Sequence, residues 1–277
     1  MLKVNDVTIE YPDGARAIDS VSFSIAAGEN VALIGANGAG KTTLLLSLVG
    51  VLLPKSGEIA FTGRAAATGG AATGDAATGG AGSAGSGFSH TQTAAEAAPR
   101  TDDGRVAIIT NRTDKETLRR IRAGVGLVFQ NPDDQLFMPN IYEDVAFGPR
   151  SFGCDEAETE KHVSGALSRL GIGHLEKRSP LKLSGGEKRL AAIATVLSME
   201  PDVLLFDEPT AFLDPRAKRN LAAILSDLPQ GKLIATHDLM FAEEVCSRVI
   251  LLQNGKLIED GGKSILLDSE KLKAAGL

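Results

Sequence analysis

Gly35-Ala36-Asn37-Gly38-Ala39-Gly40-Lys41-Thr42 fits G-x-x-x-x-G-K-[ST], a spacing suited to phosphoryl chemistry. Its glycines let successive main-chain N–H groups curl around phosphate oxygens, and a helix opening at Lys41 adds positive potential at the same place. Lys41 is expected to reach the β- and γ-phosphates of a nucleoside triphosphate, and the Thr42 hydroxyl to hold Mg²⁺. Asp207-Glu208 ends the apolar run Val203-Leu204-Leu205-Phe206. That puts two carboxylates at the carboxyl end of a buried strand, the edge where ligands bind in such sheets. Asp207 is expected to orient Mg²⁺ through water. Glu208 is the expected general base for an attacking water, a role worth about 10²–10⁴-fold.

Other residues gain meaning only beside that pair. Gln130 ends the strand reading Gly126 to Phe129, where an amide can ligate Mg²⁺ or the water; taken alone it is polar surface. His237 follows Lys232 to Thr236 and can touch a γ-phosphate, or serve as a satisfied polar residue. Tyr11 precedes a Pro-Asp-Gly turn and can stack on adenine or pack on its own hairpin. Leu183-Ser184-Gly185-Gly186-Glu187 opens a helix with a hydroxyl N-cap and two residues without side chains, a phosphate contact that can be offered to a neighbouring molecule. His90, His162 and His174 have no partners at ligand spacing and receive no metal role.

The elements needed to position these groups are legible as patterns. Val4 to Ile9 and Val21 to Ile25 alternate as a hairpin, and Asn30 to Ile34 is a short apolar strand running into a helix from Lys41 to Val49. Gly57 to Gly63 returns as a strand. Ala66-Ala67-Thr68-Gly69-Gly70 then begins three near-identical pentapeptides, with Gly/Ser-rich sequence to Gly87. A period of five suits neither helix nor strand and brings no large apolar groups, so 65–103 reads as a disordered, passive insertion at the tip of a hairpin with arms near 62–64 and 103–106. Beyond it come a basic helix (Lys115 to Arg122), a strand (Val125 to Phe129) and a mostly helical stretch from Asn131 to Lys182. In the helix from Glu187 to Met199, Leu190, Ile193, Ala194 and Leu197 share a face. Alternating strands and helices follow (Val203 to Phe206, Arg216 to Leu225, Lys232 to Ala235, Leu239 to Cys246), with a last hairpin around Asn254-Gly255. The sum is an α/β core with a helical insertion.

Composition bounds the partners. The 277 residues carry 43% hydrophobic and 23% charged side chains, enough for a sizeable core. A formal charge of −6 gives no electrostatic reason to expect nucleic acid. Cys154 and Cys246 stand outside any CxxC spacing and read as ordinary thiols of a reducing compartment. The first residues do not resemble a signal peptide, and no apolar run approaches the ~18 residues of a membrane span. The chain reads as cytosolic.

Taken together, the order of these motifs resembles the ATP-binding cassette (ABC) ATPases over nearly the whole chain outside Ala65 to Asp103. The resemblance implies a P-loop NTPase, RecA-like core (1–130 and 200–262) with an antiparallel β subdomain, a helical subdomain (131–199) and a C-terminal tail (263–277), all in one domain. It implies ATP and Mg²⁺ as cofactors. The nucleotide would lie on Tyr11, Gly35 to Thr42 and Thr43. Lys41, Gln130, Glu208 and His237 would be catalytic; Thr42, Gln130 and Asp207 would serve the metal. Ser184, Gly185 and Gly186 would cover the γ-phosphate of a second cassette, self or paralogue, in a head-to-tail dimer, and Glu187 and Asp214 would be further nucleotide-binding residues.

A finer likeness lies in Val128-Phe129-Gln130-Asn131-Pro132-Asp133-Asp134-Gln135-Leu136-Phe137 and Glu143-Asp144-Val145-Ala146-Phe147-Gly148-Pro149, which resemble the ATPase subunits of energy-coupling factor importers, cobalt and nickel types above all. That implies a place on the cytoplasmic face of the cell membrane, peripheral to an integral coupling protein and a substrate-binding membrane protein. Phe137, Met138, Ile141 and Phe147 would line the groove receiving the membrane partner, or pack the helical subdomain. A vitamin importer of the same architecture and a soluble, non-transport cassette are the alternatives. Two departures stand out: Phe212 where the family is usually small, and Leu190 where an arginine commonly follows the LSGGE turn.

Overall fold

Alternation of apolar and polar residues builds the first sheet. In the computed structural model, which describes residues 1–63 and 106–277, β1 (Leu2–Glu10) and β2 (Arg16–Ile25) pair antiparallel and bury Leu2, Val4, Val7, Ile18, Val21 and Ile25. The run β3 (Asn30–Ile34) passes through the phosphate loop into α1 (Lys41–Leu48). Gly40 caps that helix at φ 105°, and a Cβ there would lie 2.7 Å from the Ala17 carbonyl, so this position accepts only glycine without strain. Next comes β4 (Ser56–Phe61), antiparallel to β1; β5 (Ala107–Ile109) pairs with it, Ile59 facing Ile109. The expected hairpin therefore exists, with its paired residues a little farther from the insertion than the sequence placed them. The disordered reading of 65–103 lies outside the described residues.

Asp114 caps α2 (Lys115–Gly124), which leads into β6 (Val125–Val128). Three helices follow: α3 (Ile141–Ser151), α4 (Glu156–Arg169) and α5 (Gly185–Leu197). The chain then alternates through β7 (Val203–Asp207), α6 (Pro215–Asp227), β8 (Gly231–Thr236), α7 (Leu239–Val245), β9 (Arg248–Gln253) and β10 (Lys256–Gly262), closing with α8 (Ser269–Ala274). The second sheet has the order β10-β9-β3-β8-β7-β6; its five strands from β9 to β6 are parallel, and β10 is the antiparallel edge.

Period two divides the core. On β3, Val31 and Leu33 face the antiparallel sheet together with α1 and α2, while Ala32 and Ile34 face the cluster of α3 to α7; on β7, Val203 and Leu205 divide from Leu204 and Phe206 in the same way. The helix-side cluster continues unbroken into α3, α4 and α5, which fixes the helical part to the core through packing. Ile193, Ala194 and Leu197 are buried as their spacing predicts; Leu190 is only half-buried. Residues 263–277 are folded, with Leu272 and Ala275 buried in the same cluster. Neither cysteine is in a disulfide, and burial pushes the Cys246 thiol up to about 12, which leaves it inert.

Candidate functional site

Register brings the chemistry to one edge. Ile34 pairs with Thr236, Asp207 with Ala235 and Val128 with Phe206, so the chain leaves β3, β6, β7 and β8 side by side at Gly35, Gln130, Glu208 and His237. A cleft of about 660 Å³ opens there, lined by Tyr11, Asn37 to Thr43, Gln130, Asp207, Glu208 and His237, with Ala15 to Ala17 and the Asn254-Gly255 turn at its side.

Lys41 is buried and points back over its own loop. Its ammonium donates to the Gly35 carbonyl at 2.7 Å and the Ala36 carbonyl at 3.3 Å, and stands 3.5 Å from Glu208 Oε1. The other Glu208 oxygen lies 2.9 Å from His237 Nδ1 and accepts the His237 main-chain N–H at 3.3 Å. Glu208 is held in this bridge by a left-handed backbone, φ 43°, with its N–H donating to Ala235 O at 2.8 Å. A non-glycine residue in that region is held there only by its surroundings. His237 is exposed on the cleft side, so the buried carboxylate reaches solvent through the imidazole.

Asp207 stands behind this pair. The Thr42 hydroxyl donates to its Oδ2 at 2.8 Å, while Oδ1, also buried, has no hydrogen-bond partner among the described residues. Burial pushes the Asp207 carboxyl up; the Thr42 bond pulls it back and the Glu208 charge raises it further. An orphaned buried carboxylate oxygen beside a threonine hydroxyl, with the Gln130 amide on the same cleft, is a donor set that fits a hard divalent cation bound largely through water and phosphate.

Tyr11 stands at the cleft with its hydroxyl bonded to Thr43 Oγ1 at 2.6 Å, and its loop is closed by the Tyr11 N–H donating to Ala15 O and the Gly14 N–H donating to Tyr11 O, each at 2.9 Å. The Ser184 turn and Asp214 do not line this cleft. Ser184 caps α5: its hydroxyl donates to Glu187 Oε2 at 2.7 Å, and its N–H donates to the same oxygen at 2.8 Å, which holds the Glu187 carboxyl down. Ser184 and Gly185 are exposed. Asp214 spends its Oδ1 on the Arg216 and Ala217 N–H groups, each at 2.8 Å, as the N-cap of α6. A Cβ on Gly185 would lie 4.0 Å from the Phe212 carbonyl, so the two exposed turns are neighbours.

Three residues to which sequence reasoning gave no role organise the surroundings. Arg189, 1% exposed, donates to Phe129 O at 2.7 Å and to Gln130 O at 2.6 Å, tying α5 to the end of β6. Its signal was available: Arg189, Ala192, Ile193 and Val196 share the buried face of α5. The arginine that family likeness places at position 190 is absent there; Leu190 half-packs on the core and its neighbour Arg189 turns inward. Gln135 accepts the Phe129 N–H and donates to Thr195 Oγ1 at 2.7 Å and to Ala192 O at 2.9 Å, a second tie between the same elements. Buried Asp144 receives the N–H groups of Phe137 and Met138, both at 2.9 Å, and so shapes the loop that presents Phe137. Phe137 and Phe147, 62% and 48% exposed, meet edge to face at 5.2 Å. Ile141 does not line that surface: it is fully buried at the start of α3, where the helix must face the core, and it packs the helical subdomain.

A phosphate loop, strand-end carboxylates and a separate Ser-Gly-Gly-capped helix, on a core joined to a helical subdomain, define a cassette-type nucleotide-binding protein. The model of the ABC transporter family matches residues 18–79 and 72–211, and the chain belongs to that family. It is 40% identical over 274 residues, 99% of this chain and 91% of the relative, to a putative ABC transporter ATP-binding protein of Geobacter sulfurreducens. An energy-coupling factor transporter ATP-binding protein of Carboxydothermus hydrogenoformans is 38% identical, covering all of this chain and 86% of the relative. Among solved structures, cbiO1 from Clostridium perfringens, described as part of the ABC transporter complex cbiONQ, superposes with a TM-score of 0.73 at 31% identity, over 99% of this chain and 94% of that one.

Proposed function

We propose that this chain is the ATP-binding and ATP-hydrolysing subunit of an energy-coupling factor importer that energises uptake of a transition-metal ion, cobalt or nickel. The observation that carries the ATPase reading is Glu208 suspended between Lys41 and His237 at the sheet edge. In this geometry Lys41 covers the carboxylate. A triphosphate in the loop draws the ammonium onto its oxygens and frees Glu208 Oε1 to take a proton from the attacking water, while His237 keeps the other oxygen fixed. Tyr11, tied to Thr43, walls the cleft on the side where a base would lie. Thr42, Asp207 and Gln130 are the residues that would hold Mg²⁺, which when bound neutralises charge on the phosphates.

The Ser184-Gly185-Gly186 turn lies outside its own cleft, with Ser184 and Gly185 exposed. In the proposed mechanism it covers the γ-phosphate of a second cassette, and binding and release of nucleotide close and open the pair. The exposed Phe137–Phe147 pair supports a docking surface for an integral membrane coupling protein. Among the described residues no helix is long and apolar enough to cross a membrane, so membrane association would come through that partner. The importer reading rests on relatives named for energy-coupling factor transport and on the complex to which cbiO1 belongs. Purifying the tagged chain from membranes tests it: integral membrane subunits should co-purify, with ATP hydrolysis and cobalt or nickel uptake lost together on Lys41→Ala. Recovery of ribosomes in their place refutes it.

A further inference from the structure

The rim of the phosphate loop is supported from a part of the chain that none of its motifs involves. A Cβ on Gly35 would lie 2.3 Å from the Leu252 carbonyl at the end of β9, so the loop begins in contact with that strand. The Gly255 N–H, in the β9–β10 turn, donates to Ala39 O at 3.0 Å. A third close approach comes from beyond α8. Gly276 turns at φ +81°, and a Cβ built on it would lie 3.1 Å from the Ala36 methyl. Ala36 is not a bystander: its carbonyl accepts both the Ala39 N–H at 3.1 Å, which closes the loop, and Lys41 Nζ at 3.3 Å.

The segment that carries Gly276 is itself fastened. Gln253 Nε2 donates to Ala274 O at 2.6 Å, Lys271 pairs with Glu259 of β10 at 2.9 Å, and Leu277 packs against the helix-side core with Leu272 and Ala275. The Leu277 N–H returns to Leu272 O at 2.8 Å, which fixes the turn that points Gly276 at the loop.

We infer that residues 269–277 are a positioning element of the nucleotide site, with Gly276 as the point at which they brace Ala36 and, through the Ala36 carbonyl, the resting place of Lys41. The brace acts on how well the loop is preformed for phosphate, and therefore on nucleotide affinity more than on the hydrolytic step. This rests on the reading that the cleft binds ATP, and the controls separate the two.

The test is calorimetric titration of the full chain with Mg-ATP, alongside steady-state hydrolysis. Gly276→Val should raise the Kd and the KM about tenfold and leave kcat within about twofold, since it misplaces a binding loop without touching the reacting groups. Gly171→Val is the control for backbone strain: it too sits at positive φ, +68°, with nothing within 4 Å of its Cβ, and its Kd should stay at the wild-type value. Ala36→Gly removes the methyl that Gly276→Val presses on, so the double variant should bind within about threefold of Ala36→Gly alone, the coupling expected of groups in contact. Gln253→Ala, which removes one of the three fastenings of this segment and changes no residue of the loop, should weaken binding about two- to fivefold by the same argument. The inference is overturned if wild-type protein binds ATP and Gly276→Val binds equally well, or if Ala36→Gly gives no recovery. Wild-type protein that binds no ATP refutes the nucleotide reading itself.

Discussion

Arg189, near the start of the Ser184-capped helix, donates to the main-chain oxygen of Gln130 at 2.6 Å from a buried guanidinium. The turn that would face a neighbouring molecule and the loop that carries the cleft's amide are thus one mechanical unit. Burial lowers the Arg189 pKa to about 10, so it remains charged at neutral pH, where its two carbonyl contacts are charge-assisted.

Arg189→Leu should therefore destabilise the protein by about 2–5 kcal/mol, because it strands the Phe129 and Gln130 carbonyls in the interior. Urea unfolding measures this. Arg189→Lys should fall between the two, since a single ammonium cannot fork to both oxygens. An Arg189→Leu variant as stable as the wild type would show that the bonds contribute nothing.

Glu208→Gln keeps the shape of the bridge and removes its basicity. Hydrolysis should fall about 10²–10⁴-fold while ATP still binds, so that a two-cassette complex accumulates and elutes at twice the mass on gel filtration. A variant that stays monomeric in saturating ATP contradicts the shared-site mechanism.

Phe212 holds a left-handed backbone, φ 62°, and is 92% exposed beside the Gly185 turn. At that exposure, none of the described residues covers its ring to offset the strain. Phe212→Gly should stabilise the isolated chain by about 0.5–1 kcal/mol, read as a higher urea midpoint. If the ring packs across to a second cassette, the same variant should weaken ATP-dependent association in the Glu208→Gln background. A midpoint below that of the wild type would show that Phe212 is not strained.

Lys232 is buried in β8, and the three oxygens that accept from it (Leu228 O, Gln230 O and Asn30 Oδ1, at 2.6, 2.9 and 3.1 Å) are uncharged. Burial lowers its pKa to about 8. Between pH 8 and the ordinary lysine value near 10.5 the unfolded chain holds the extra proton, so stability should rise with pH across that window, by about 3 kcal/mol, and this part should be flat below pH 8. Lys232→Met should lack the rise. An unchanged slope in that variant would assign the effect to another group.

Sequence alone was enough for whatever depends on neighbours along the chain. The phosphate loop is eight consecutive residues, and Asp207-Glu208 and the Ser184 capping box are equally local; their chemistry follows from main-chain N–H groups, a strand end and a helix start. Period two and period 3.6 placed the strands and helices to within a few residues, and the parallel sheet then had to bring Gly35, Gln130, Glu208 and His237 to one edge. What the tertiary structure decided are contacts and close approaches between residues far apart in sequence, for which no local pattern exists: Lys41 on Glu208, Tyr11 on Thr43, Arg189 on Gln130, and Gly276 brought near Ala36. The same holds for Ile141 and Phe137, apolar residues four apart, of which one is buried and one exposed. Hydrophobicity says that a side chain can leave water; only the packing of α3 on α5 says which one does.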